Sequence, residues 1–345
     1  MYLFKKGSVK EVYVLKEPQG GSPGEGRFVF TDGYSVFDWG QMPQRIPEKG
    51  KALCLIGAYF FEELGKRGIS THYLGIEEDG VVKSLSELKA PTDTMAVRLV
   101  RVIEPKREGA SYDYSVFKEL EHNFLIPLEL IYRNFLPEGS SVFKRLEAGS
   151  LSPKDLGLQD FPRPGERLPK PFLDVSTKLE ATDRYISFQE AKELSGLSDE
   201  ELEKVKEITF FVNGLITEKV SAKGLQHEDG KVEFAFGEGR TLMVVDVVGT
   251  PDECRFTFEG MPLSKELLRI LYRRTDWYKQ IEEAKRADPV NWKQRVGPPP
   301  PLPWEAIGLV SDLYKALANE ITGREWFKAP SLKQVLERLK ELLEG

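Results

Sequence analysis

The chain has 345 residues, 40% of them hydrophobic and 30% charged, with a formal net charge of -6. It is long enough for a large core and more than one domain. An acidic balance gives no general attraction to nucleic acid or an anionic membrane, so any phosphate ligand has to be met by a local basic site.

The two cysteines, Cys54 and Cys254, are too few for a disulfide framework and wrongly spaced for a zinc ribbon. His72, His122 and His227 are far apart in sequence, which speaks for structural roles and against a His-based zinc site or a Ser-His-Asp triad. No apolar run approaches the about 18 residues of a membrane span, and Met1–Gly7 has no signal-peptide core, so the reducing cytoplasm is the expected location.

In chain order, residues 7–15 alternate apolar with polar and 27–32 resume the pattern, predicting a β-hairpin. The glycine-rich stretch 20–26 between them lacks the Gly-Lys-Ser/Thr ending of a phosphate-binding loop and reads as a mobile connection. Residues 50–68 turn helical, with Leu53, Ile56, Phe60, Phe61 and Leu64 on one side. Residues 98–103 form a further strand candidate, whereas 115–145 fit helix or strand equally well.

Residues 151–171, rich in proline and glycine, read as a surface loop. A helical region covers 187–213, with Ser198-Asp199-Glu200-Glu201 as its capping signal. Residues 263–284 are helical again. The run Pro298–Pro301 is a rigid spacer, and 303–322 and 330–343 close the chain as amphipathic helices.

Two β-rich runs, Asp229-Gly230-Lys231-Val232-Glu233-Phe234 and Asp246-Val247-Val248-Gly249-Thr250-Pro251-Asp252-Glu253-Cys254-Arg255, carry acids among apolar residues. In a strand, Asp229, Lys231 and Glu233 share one face while Val232 and Phe234 share the other. Gathered carboxylates repel unless a cation lies between them, and such oxygen donors suit Mg²⁺ carried in with nucleotide phosphates. Asp229-Gly230 is also a good hairpin turn that needs no ligand; both readings stand at this point.

Several separated strings resemble the SAICAR synthetase family, in the family's order and over almost the whole chain. They are residues 7–13, Phe30–Asp38, Ile46–Gly50, Gly68–Leu74, Ile126–Asn134 with Gly139-Ser140, Ser176–Glu180 with Asp183, the two acidic runs, and the tail with Tyr314 and Ile321–Gly323. The resemblance implies a two-domain α+β fold, related to kinase-like and ATP-grasp-like folds, with ATP in the cleft between domains. It implies a β-rich nucleotide-binding domain at 1–105, a larger α+β domain with the metal and substrate site at 106–285, and a helical extension at 286–345.

The implied reaction is the ATP-dependent joining of L-aspartate to the carboxylate of CAIR through an acyl phosphate, in de novo purine biosynthesis. ATP and Mg²⁺ are the implied cofactors. CAIR and L-aspartate are the implied small-molecule partners, with a homo-oligomer left open.

Carried over residue by residue, Lys10, Glu129, Asp183 and Lys231 would bind the nucleotide, and Glu233 and Asp246 would hold Mg²⁺. Asp38, Arg133, Ser140 and Arg255 would bind the nucleotide substrate, an arginine fork with a hydroxyl being apt for a phosphomonoester. Lys231, Asp229 and Arg255 would serve catalysis, with Arg255 close to Asp229 and Asp252. Asp183 could equally cap the helix beginning near Ser187, and Lys10 could be a solvated strand lysine.

Some positions depart from the family. Ser8 stands where it has lysine; a charge-assisted contact is worth roughly 1.5–3 kcal/mol, so its loss implies nucleotide binding weaker by about one to two decades. Gly33 replaces an arginine, Val247 an acid, Ala235-Phe236 alter a Glu-Phe-Gly ending, and Gln226-His227-Glu228 are more polar than the family's buried strand. These changes cluster at the ATP and metal end. They admit a divergent paralogue joining another carboxylate and amine, or a nucleotide-binding protein without catalysis.

Overall fold

The computed structural model describes residues 1–109, 111–289 and 291–344. Its first sheet is antiparallel throughout and runs in the order β1-β2-β3-β6-β4-β5, from β1 (Tyr2–Lys6), β2 (Lys10–Lys16), β3 (Gly24–Phe30), β4 (Tyr73–Glu78), β5 (Val81–Lys83) and β6 (Thr94–Leu99). The expected hairpin is β2 with β3, and β1 adds a fully exposed edge strand that the alternation from Gly7 did not signal. Of the strand expected at 98–103 only Arg98 and Leu99 lie in β6, which runs from Thr94 to Leu99 because Met95 and Val97 are the side chains that enter the core.

Residues 20–26 are less free than expected. The Asn123 amide donates to the carbonyls of Gly20 and Ser22 at 3.0 and 2.8 Å, and Gly24 and Gly26 already belong to β3. Helix α1 (Lys49–Lys66) buries the expected stripe of Leu53, Ile56, Phe60, Phe61 and Leu64 against this sheet.

After the ribbon of β7 (Lys106–Glu108) and β8 (Ser111–Asp113), the ambiguous stretch 115–145 resolves into a long strand, β9 (Phe124–Leu136), and a short helix, α2 (Ser141–Glu147). Strand wins because Leu128, Leu130 and Tyr132, at a spacing of two, enter the core together.

The end of the region expected as a surface loop, residues 166–171, is the start of a strand. β10 (Glu166–Thr177) lies outermost beside β9, with Pro169 and Pro171 inside a register break between Arg167 and Phe172. An edge position and an irregular register are where a strand tolerates proline.

Helices α3 (Phe188–Ser195) and α4 (Asp199–Ser221) follow, the latter with the expected capping box of Ser198 and Glu201. Helix α4 packs on β9 and on β11 (Gln226–Phe236), which with β12 (Leu242–Val245), β13 (Cys254–Phe258) and β14 (Met261–Pro262) completes the second sheet. Helices α5 (Glu266–Arg273), α6 (Asp276–Ala287), α7 (Trp304–Thr322) and α8 (Leu332–Glu344) end the chain, and α7 lies along α1.

One continuous hydrophobic core runs from Phe28 in the first sheet to Leu339 in α8. The sheets are also joined by backbone: His72 N–H donates to the Val244 carbonyl at 3.0 Å and Val244 N–H to that of Ser70 at 2.9 Å. Among the described residues no helix is long and apolar enough to cross a membrane.

Candidate active site

Strands β9 and β11 pair antiparallel with Glu129 opposite Glu233, Ile131 opposite Lys231 and Arg133 opposite Asp229. Two carboxylates directly opposed across a ladder are destabilising unless a cation intervenes. Two ammonium groups do so here. Lys231 Nζ lies 3.1 Å from Glu129 Oε1 and 3.0 Å from Glu233 Oε1, and Lys178 Nζ lies 3.1 and 2.7 Å from the same two oxygens. The four charges alternate around a closed ring, and Glu253 approaches Lys231 to 3.3 Å.

Burial alone would lower Lys178, but Glu233 and Glu129 carry it up to about 12. Lys231 is likewise raised against burial, by Glu253 and Glu233. Burial pushes Glu233 up to about 7, and the charge of Asp246 adds to the push.

Asp246 follows β12 in a left-handed conformation, with φ of 63°. For a residue other than glycine this is a strained backbone of the kind found at functional sites. It turns the carboxylate toward β2, where Lys10 forms a short ion pair with it and also lies 4.1 Å above the Phe28 ring. Burial opposes the Asp246 charge, but Lys10 and Lys231 more than offset it and hold the carboxyl well below its usual range. The His72 ring Nε2 lies 3.0 Å from the Asp246 carbonyl oxygen. Lys10 is thus paired with Asp246 rather than being a solvated strand lysine.

Further along β9 and β11, Asp229 is shared by two arginines, Arg255 at 2.7 Å and Arg133 at 3.5 Å. Arg133 is 2% exposed, donates to the hydroxyls of Ser140 at 3.5 Å and Ser141 and Tyr185 at 3.2 Å, and its Nε–H has no hydrogen-bond partner. A buried guanidinium with an unsatisfied donor beside three hydroxyls keeps donor capacity for an oxyanion, although Asp174, like Asp229, lies 3.5 Å from it. Ser140 is positioned by capping α2.

The Asp229-Gly230 pair is no turn, since it sits inside β11. Glycine is required there for space: a Cβ at residue 230 would lie 2.2 Å from the Tyr132 hydroxyl and 2.8 Å from Cys254 Sγ.

The structure therefore gathers Lys10, Glu129, Lys231, Glu233 and Asp246 into one cluster, and Arg133, Ser140, Asp229 and Arg255 into a second reached along the same two strands. Asp183 feels burial and the Glu129 charge, which raise its carboxyl, and it does not cap α3, whose cap is Ser187.

Asp38 is joined elsewhere: it is exposed, has a φ of 61°, and pairs with Lys285 of α6 at 3.0 Å while Phe37 packs on Tyr278. Asp252 is turned away from Arg255 and buried against Lys49 at 2.8 Å. Lys178 and Glu253 carry no assigned role in the sequence reading. Lys178 lay within a quoted string, but its reach depends on β10 running beside β9.

The departures have local reasons. A Cβ at residue 33 would lie 2.3 Å from the Ser8 carbonyl oxygen, so Ser8 and Gly33 form one loop arrangement that has no room for an arginine. Val247 is buried and faces Gly57 of α1 rather than the Lys10–Asp246 pair. Phe236 packs on Phe124 and under Arg240, and the buried His227 bonds Thr217 at 2.8 Å.

Among the described residues no group of three or more His, Cys, Asp and Glu forms a cage for a metal ion. Glu233 and Asp246, which repel each other, are the carboxylates that could hold a hard cation, and each is countered here by a lysine. Mg²⁺ is commonly held by one or two carboxylates, the other positions being filled by water and phosphate oxygens.

An α+β chain with partly buried carboxylates and ammonium groups set beside a buried arginine with three hydroxyls has the make-up of an enzyme that transfers phosphoryl groups. The chain belongs to the SAICAR synthetase family, whose model matches residues 3–284.

A protein of Archaeoglobus fulgidus, provisionally named phosphoribosylaminoimidazole-succinocarboxamide synthase, is 54% identical over 338 residues, covering 98% of this chain and 100% of its own. The SAICAR synthase of Saccharomyces cerevisiae, solved in complex with SAICAR, shares the fold with a TM-score of 0.63 and 23% identity over 94% of this chain and 96% of that one. A SAICAR synthetase solved in complex with ADP shares it with a TM-score of 0.55 and 22% identity, over 83% and 97%.

Proposed function

We propose that the chain is an ATP-dependent carboxylate–amine ligase that joins L-aspartate to the carboxylate of CAIR, giving SAICAR, ADP and phosphate. Family membership supports the reaction. The observation that carries it to these residues is the adjacency of the two clusters: a lysine–carboxylate ring able to face a triphosphate, and the buried Arg133 with its unsatisfied Nε–H able to face a phosphomonoester.

In the first step a carboxylate oxygen of CAIR attacks the γ-phosphorus and the bond to the β,γ-bridging oxygen breaks, releasing ADP. In the second the aspartate amine attacks the acyl carbon, the bond from that carbon to the phosphate-bearing oxygen breaks, and the nitrogen loses a proton. Lys10 and Lys231 offset charge on the phosphates. Arg133, Ser140 and Arg255 hold the ribotide phosphate and carboxylate, with Asp229 fixing both guanidinium groups. Glu129 orients Lys231, and Asp183 is assigned to the rim of the nucleotide site.

Glu233 and Asp246 would hold Mg²⁺, which when bound neutralises the charge that develops on the transferring group. In this reading residues 1–105 supply the nucleotide side, 106–285 the metal and substrate side, and 286–345 a cover over α1. De novo purine synthesis would place the protein in the cytoplasm.

Another acid or amine is not favoured, since Val247 packs on α1 and Ser8 and Gly33 accommodate each other. An assay of ADP release tests the proposal. Turnover is expected only with CAIR, aspartate and Mg²⁺ together, and turnover indifferent to CAIR overturns it.

A further inference from the structure

Lys178 is the second of two ammonium groups on the Glu129–Glu233 pair, the first being Lys231, which is itself shared with Glu253. A single ammonium between Glu129 and Glu233 relieves the repulsion of that pair, and Lys231 already provides it from within β11. Lys178 arrives from a different strand. Its backbone N–H is pinned to the Pro127 carbonyl at 3.0 Å, just past the end of β10, and its side chain crosses β9 to reach Glu233 on β11. The next residue, Leu179, has a φ of 75°, a strained backbone directly after the pinned amide. The lysine side chain is 22% exposed whereas that of Glu233 is 4% exposed, so the ammonium has a way out that the carboxylate lacks.

We propose that Lys178 is the resident counter-ion of the metal pair. Its ammonium occupies the Glu233 carboxylate in the free protein and holds off a divalent cation until nucleotide phosphates are present to receive the lysine. This rests on the reading of Glu233 and Asp246 as the metal pair. An ammonium touching a ligand carboxylate stands a few ångströms from any cation on it, and repulsion at that range in a partly dry site is strong. Phosphate oxygens give the displaced ammonium charge-assisted partners that water does not match. Free metal is therefore refused and metal with nucleotide is admitted, which sets the order of loading.

The test is Mn²⁺ binding to the purified full chain, followed by the paramagnetic resonance of free Mn²⁺ with and without ADP. The wild type is expected to bind Mn²⁺ weakly alone and at least tenfold more tightly with ADP. Lys178→Ala and the bulkier Lys178→Gln should bind Mn²⁺ alone at least tenfold more tightly than the wild type, and Lys178→Arg, which keeps the charge, should not. Adding Glu233→Gln to Lys178→Gln should remove the gain.

Folded Lys178→Gln with wild-type Mn²⁺ affinity overturns the proposal, as does a gain that survives Glu233→Gln. The readout needs no turnover. Absence of ADP release in the wild type, with the Mn²⁺ pattern intact, removes the ligase reading and leaves the counter-ion in place.

Discussion

Lys49 and Asp252 form an ion pair of 2.8 Å in which the lysine side chain has no exposure and the aspartate 4%. Tyr314 of α7 donates its hydroxyl to the other Asp252 oxygen at 2.7 Å, and Lys49 also donates to the Gly33 carbonyl at 3.2 Å. The start of α1, the loop before β13 and the C-terminal tail therefore meet on one carboxylate. Burial pulls Lys49 down, while Asp252, despite its own burial, is held at about 2 by Lys49.

Removing one partner of a buried pair leaves an uncompensated charge and costs about 3–5 kcal/mol. Lys49→Met should lower unfolding free energy by that order in urea titrations. The double variant Lys49→Met with Asp252→Asn should recover a large part of it, and additive losses would show that the pair is not coupled.

Tyr314→Phe removes one hydrogen bond to a charged group and should cost about 1.5–3 kcal/mol. Thermal unfolding checks the magnitude, and an unchanged melting temperature would mean that α7 does not restrain Asp252.

In the anion cluster, Arg133→Gln should raise the KM for CAIR by about one to two decades, since each charge-assisted contact is worth about 1.5–3 kcal/mol. Arg255→Lys should not restore wild-type kinetics, because lysine lacks the planar fork that meets Asp229 through both Nε and Nη2. Initial-rate kinetics at saturating ATP and aspartate separate this from a nucleotide effect.

Glu233→Gln and Asp246→Asn should each lower kcat by about two to three decades, the usual scale for losing a preorganised electrostatic group. Circular dichroism should show both folded. Wild-type turnover in either would move the metal pair elsewhere.

Acid stability should be governed by two buried histidines. Burial lowers His72 to about 4 and His227 to about 3. A base whose folded value is depressed adds stability that is full above its unfolded value near 6.5 and is lost as pH falls through the folded value. Each histidine can withdraw up to about 3 kcal/mol on this basis. Between pH 6.5 and 4 these losses are opposed by Glu233, whose raised folded value adds stability as pH falls, so unfolding free energy should fall by less than the two histidines alone would give, and His227→Gln should flatten that slope.

Much of this was readable from local pattern. The alternation of Asp229, Lys231 and Glu233 gave their shared face, and Ser198 with Glu201 gave the start of α4. What escaped depends on distant pairing. Gly230 suggests a turn by its neighbour Asp229, yet it is glycine because the Tyr132 hydroxyl crosses its position. Lys178 gains meaning only from β10 lying against β9, and β10 is disguised by its prolines. Asp252 sits three residues before Arg255 but belongs to the α1–α7 contact, a preference that spacing does not reveal.

Those prolines have an effect beyond local geometry. Pro169 and Pro171 leave the outermost strand of the second sheet short of two amide hydrogens within its register break, and residues 184–186 cover the same strand at Ser176 and Thr177, so little of that rim is left as a regular ladder.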